Sequence, residues 1–119
     1  MATSTIKSPH ATRITSSDAI TLNMTVDAQY CIAYKEPGGN VRVDFFIRSS
    51  SNIAQNAAMF TMPTGWRPAA SYGGVAAITT SANAAIFGAT NINSSGQILS
   101  PSLSSSTRGV LGHIEYPVA

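Results

Sequence analysis

This chain has little of what most function classes need. Its charged fraction is 10%, with Lys and Arg together numbering 7 against 5 acidic residues, so the formal net charge is only +2. A typical soluble domain is about 25% charged, and the deficit here is made up by Ser, Thr, Asn and Ala. A charge this small and this scattered does not build the basic footprint that neutralises a phosphate backbone, which argues against nucleic acid as a partner. Lys7, Arg13 and Lys35 lie apart, and no run of basic residues forms an electrostatic membrane anchor. There is 1 cysteine, Cys31, so an intramolecular disulfide and a Cys-rich metal site are both excluded; a lone Cys reads as a small core residue. No apolar run approaches the roughly 18 residues that would cross a membrane. The N-terminal "MATSTIKSPHATRITSS" lacks the apolar stretch of a signal peptide.

What the sequence does hold is alternation. With 119 residues it fits one domain, and from about Asp18 onward the apolar period is two. In "NVRVDFFIRS" the residues Val41, Val43, Phe45 and Ile47 fall on one face, with Arg42, Asp44, Phe46 and Arg48 on the other. Upstream, "QYCIAYKE" places Tyr30, Ile32 and Tyr34 on one side, and "PGGN" between the two runs predicts a β-hairpin. Further strands are expected in "AITLNM", "AAMFTM", "GGVAAITT", "AAIFGATNI", "GQILS" and "GVLGHIEYPV", separated by Gly, Pro, Asn and Ser clusters. Seven or eight short strands at this spacing imply an all-β antiparallel sandwich or barrel. Residues 1–17, rich in Ser and Thr, read as a leader or linker ending in a short strand at 13–15, and residues 18–119 as the folded domain. The low charge and hydroxyl-rich surface suit an extracellular or virion β-protein better than a cytosolic helical enzyme.

The segment 60–69, "FTMPTGWRPA", contains the sole tryptophan. Pro63 stops the ladder for want of an N–H, Gly65 permits positive φ, and Arg67 before Pro68 is biased to extended backbone. Trp66 therefore sits in a rigid corner, either as a plug over one end of the core or as an aromatic platform.

Taken in order, "AYKEPGGNVRVDFFI", "MFTMPTGWRPAASY", "NINSSGQILS" and the final "GVLGHIEYPVA" resemble the small C-terminal head domains of bacteriophage tail-fibre and baseplate receptor-binding proteins. The resemblance covers roughly residues 20–119. It implies a homotrimeric, jelly-roll-like head on the virion's tail tip, partnered by other tail or baseplate proteins and attached to a bacterial surface saccharide without catalysis, membrane insertion or a cofactor. A structural tip that trimerises a fibre and has no glycan ligand is the alternative.

Saccharide binding asks for an aromatic face and a few oriented polar groups. The candidates are Trp66, Arg67 and Tyr72 around the corner, and His113 with Glu115, neighbours on one face of the last strand if Val110, Gly112, Ile114 and Tyr116 face inward. Phe46, an aromatic among the charges Arg42, Asp44 and Arg48, suggests a trimer interface on the central hairpin. An enzyme has little to work with. Asp44 and Glu115 could form a glycosidase pair if their strands adjoin, but no nucleophile elbow or phosphate loop occurs, and His10 and His113 offer no zinc-ligand spacing.

Overall fold

The computed structural model describes residues 11–102 and 104–118. Its elements are nine β-strands: β1 (Thr12–Thr15), β2 (Thr21–Leu22), β3 (Ala28–Lys35), β4 (Asn40–Arg48), β5 (Ala58–Thr61), β6 (Tyr72–Thr80), β7 (Ala85–Ile92), β8 (Gln97–Leu99) and β9 (Thr107–Pro117). No helix occurs among the described residues, hence none that could cross a membrane. All nine strands belong to one sheet in the order β1-β3-β4-β9-β6-β7-β8-β5-β2, and every neighbouring pair is antiparallel.

The sheet is curled into a half-barrel, and two observations require it. The edge strands β1 and β2 stand at opposite ends of the order yet are joined by residues 16–20 alone. Eight strand spacings of a flat sheet would cover about 38 Å, whereas such a link reaches at most about 20 Å. Secondly, Phe45 of β4 and Phe60 of β5, separated by five places in the order, meet edge to face with ring centroids 6.0 Å apart.

The interior is filled by alternate residues, as the pleat dictates. Val41, Val43, Phe45 and Ile47 of β4 are fully buried, and Val110, Ile114 and Tyr116 of β9 lie beside them. Ala76 and Ile78 of β6, Ile92 of β7 and Ile98 of β8 continue the core. Strand β5 departs from strict alternation because Met59 and Phe60 are both buried. Its register with β8 shifts between Ala58 and Phe60, and a bulge of this kind lets two consecutive side chains face the same side. Cys31 and Ala33 are the inward residues of β3, so Tyr30, Ile32 and Tyr34 face outward. Burial pushes the Cys31 thiol up to about 12, so it stays protonated and serves as packing.

Among the described residues, buried side-chain polar atoms are paired except Gln29 Oε1. The Thr90 hydroxyl donates to the Leu99 carbonyl at 2.7 Å, Thr107 donates to the Ser104 carbonyl at 2.9 Å, and Ser100 accepts from the Ala57 N–H at 3.0 Å. The hairpin between β3 and β4 forms where "PGGN" predicts it. Glu36 N–H donates to the Asn40 carbonyl at 2.8 Å, and Gly39 takes φ 90°.

The short strand expected at 13–15 is β1. Strand β1 pairs with β3 from Thr12↔Lys35 to Thr15↔Ile32, so this segment supplies one edge of the sheet. Residues 1–10 of the expected leader, His10 among them, lie outside the described residues.

Gly112 has no room for a side chain, because a Cβ there would collide with the Phe45 ring packed against it from β4. Gly112→Ala is expected to cost about 1–3 kcal/mol by overpacking. Gly38→Ala, which meets nothing within 4 Å, should be nearly neutral. Denaturant unfolding of the two variants side by side checks this, and equal midpoints would contradict the packing described.

Candidate functional site

Because odd and even residues part to opposite faces, the filled interior determines what the outer face displays. Strand register lines up Tyr30, Phe46, Leu111, Ala77 and Phe87 as one continuous row across β3, β4, β9, β6 and β7. Several of these residues are open to solvent: Phe87 is 82% exposed, Leu111 51% and Tyr30 42%, with Val75 beside them at 68%. The small side chain of Ala77 lowers the floor between the larger ones. The result is a groove of about 560 Å³, with Tyr30, Val75, Phe87 and Leu111 as its apolar lining and Asp44 and His113 as its charged lining.

The adjacent row carries the polar chemistry. Asp44 and His113 are direct partners across β4 and β9, and Glu115 follows two residues on, so its side chain leaves the same face. His113 Nδ1 lies 2.7 Å from Asp44 Oδ1 and Nε2 lies 2.8 Å from Glu115 Oε2. A carboxylate oxygen only accepts, so when the ring is protonated both of its nitrogens donate, one to each carboxylate. The bond to Glu115 first, and that to Asp44 second, raise the His113 pKa above its ordinary 6.5, against a smaller opposing effect of desolvation.

Arg42 pairs in register with Glu115 but turns elsewhere. Its Nε donates to Glu36 Oε1 at 3.0 Å and its guanidinium lies 4.7 Å from the Tyr34 ring centroid. Arg48 lies exposed at the far end of β4. Phe46 finds its aromatic partner within the chain, 5.8 Å from Tyr30. Arg42, Asp44, Phe46 and Arg48, singled out for assembly, thus share one face with His113 and Glu115, singled out for saccharide.

Trp66, Arg67 and Tyr72 are placed elsewhere. Trp66 is 8% exposed and belongs to the core. Its N–H donates to the Pro63 carbonyl at 3.0 Å, closing the turn. Its carbonyl accepts from the buried Tyr116 hydroxyl, and Lys35 Nζ sits 4.5 Å over its ring while donating to the Gly65 carbonyl. Arg67 Nε is spent on the Met62 carbonyl at 2.9 Å. Tyr72 lies against Tyr116, with ring centroids 6.5 Å apart, on the side of the sheet opposite His113 and Glu115. The five residues proposed for saccharide do not converge: Trp66 is a plug, Arg67 ties down the corner, and only His113 lines the groove, with Glu115 bound to its ring.

Sequence reasoning passed over Tyr30, Val75, Phe87 and Leu111. The signal for Phe87 was present in "AAIFGATNI", since counting back in twos from Ile92, an inward residue, leaves Phe87 outward. Among the described residues no cluster of His, Cys, Asp and Glu could hold a metal ion.

Trp66→Ala is expected to lower stability by about 3–5 kcal/mol, the cost of emptying a buried aromatic site. Chemical denaturation measures it, and a loss below about 1 kcal/mol would move Trp66 out of the core. For His113, a pKa raised by folding adds stability that is complete below 6.5 and is lost as pH rises through the folded value. The unfolding midpoint should accordingly fall from pH 6.5 upward, and an NMR titration of the ring should show its pKa above 6.5. His113→Gln should flatten that part of the pH profile. Scans against models of known protein families and against curated proteins returned no match to this chain.

Proposed function

We propose that this chain is the receptor-binding head of a phage tail tip. In this reading it is a jelly-roll-like homotrimer on the virion that attaches to bacterial surface carbohydrate without catalysis and is carried by other tail or baseplate proteins. The observation that carries the saccharide part is the meeting of exposed aromatic rings and oriented polar groups in one groove: Phe87 and Tyr30 beside Asp44 and His113. A pyranose offers one face of C–H groups and a rim of hydroxyls, and such a surface suits both. Concave, mostly apolar sites with a few converging polar groups are where small ligands generally bind. Three copies on one rigid trimer would turn weak single contacts into firm attachment to a repeating polymer.

The geometry favours binding over hydrolysis. A glycosidase needs its two carboxyl groups to flank the scissile bond. Here the imidazole of His113 occupies the space between Asp44 and Glu115 and holds an oxygen of each.

A second reading, a structural tip with no glycan ligand, draws on Val75 and Leu111. Exposed aliphatic side chains in a contiguous patch serve protein contact better than sugar contact.

The purified protein should be screened against glycans and bacterial cell-wall polysaccharides while its mass in solution is determined. Trimer mass with a saturable hit is the expected result. Phe87→Ala should then weaken binding about tenfold, since a sugar face covering about 50–60 Å² of that ring gains roughly 1.4 kcal/mol from apolar burial. Its unfolding midpoint should barely move, because Phe87 is 82% exposed. Trimer mass without binding across a broad panel would favour the structural tip, and a monomer would remove the homotrimer from the proposal.

A further inference from the structure

The groove's charge arrangement bears on which saccharide it takes, an inference that rests on the saccharide reading above. Its charged lining is Asp44 and His113. Both His113 nitrogens are already committed, to Asp44 at 2.7 Å and to Glu115 at 2.8 Å. The ring therefore has no donor left for a ligand. Arg42, the cation nearest in register, is turned to Glu36 at 3.0 Å and lies over Tyr34. Opposite His113 on β6 stands Val75, which is apolar, and opposite Asp44 on β3 stands Ile32. What the groove's lining leaves for a ligand is acceptor capacity: the second oxygen of Asp44 beside open aromatic rings, with Glu115 on the far side of His113.

We propose that the groove selects a saccharide bearing a free ammonium group, an amino sugar that is not N-acetylated, and rejects acidic saccharides. The ammonium supplies only donors, matching a surface that supplies acceptors, and it gains from charge-assisted bonds to carboxylate and from the faces of Tyr30 and Phe87. A carboxylate or phosphate on the sugar would face Asp44, while Arg42, held by Glu36 at 3.0 Å, and Arg48, at the far end of β4, stand outside the groove's lining.

The protein's overall charge sharpens the test. At a formal +2 the whole molecule repels a polycation and attracts a polyanion, so preference for the amine must arise locally. The experiment is an NMR titration at pH 6 following the Phe87 and Tyr30 ring signals. The probes are three oligosaccharides of equal length: a glucosamine oligomer, its N-acetylated counterpart and an oligogalacturonate. The glucosamine oligomer should bind about tenfold tighter than the N-acetylated one, with an affinity that falls as salt is added. The oligogalacturonate should show no saturable shift. Asp44→Asn, at a half-exposed position, should remove the discrimination between the glucosamine oligomer and its N-acetylated counterpart. Equal binding of the first two, or binding of the acidic oligomer, would overturn the selectivity and leave the saccharide reading standing. Silence at Phe87 and Tyr30 with all three probes would remove both.

Discussion

Phe45 and Phe60 touch across the interior from strands that a flat sheet would hold far apart. That contact expresses the constraint on which the architecture rests: one continuous antiparallel sheet has to supply both walls of its own core. The long central strands must therefore give one face to the inside. Gly112 is a point of tight fit, where the Phe45 ring lies against bare backbone. The bulge at Met59 is the corresponding adjustment on the opposite wall, and it adds a second inward side chain where β5 turns toward its edge.

The same constraint accounts for the corner around Trp66. A half-barrel leaves an open end, and a core exposed there would lose much of what burial gains. Trp66 covers that end, and its position is secured through backbone groups: its carbonyl takes the Tyr116 hydroxyl, and the neighbouring Gly65 carbonyl takes the Lys35 ammonium. Burial of Tyr116 also raises its pKa, which keeps the hydroxyl protonated and able to donate. Trp66 is thus tied to β3 and β9 at once, which explains why Pro, Gly, Trp and Arg are packed so closely in this part of the chain.

Much of the fold was legible because alternation states directly which residues share a face. "NVRVDFFIRS" and "GVLGHIEYPV" divide as the pleat requires, and the outward pair His113 and Glu115 follows from the inward set on the same strand. Two things escaped. Ordering of strands is a long-range property, so the adjacency of β4 and β9, and with it the Asp44–His113 bridge, follows from no single segment of the chain. The groove escaped for a related reason, since its lining comes from strands β3, β4, β9, β6 and β7, and no local window contains it. Trp66 was legible only as an alternative. The rigid corner allowed a plug or an aromatic platform, and its burial assigns it to the plug.

The outer face cannot serve two ends. Tyr30 to Phe87 is a row across five strands, about 19 Å at ordinary strand spacing, and it contains nearly all the large apolar side chains exposed on this surface. A saccharide needs that row open to solvent, whereas a subunit interface needs it covered. Phe46, the residue that most suggested an interface, is accounted for by Tyr30 within the same chain. Its placement therefore adds nothing for assembly. If the groove is a binding site, a trimer has to be built from other surfaces, and the edges β1 and β2, unpaired on their outer sides among the described residues, are where the sheet still has backbone hydrogen-bonding groups to satisfy. If instead the row is the interface, then burying Asp44, His113 and Glu115 at its margin would be tolerable only with the bridge intact, because breaking it would leave a carboxylate desolvated and unpaired.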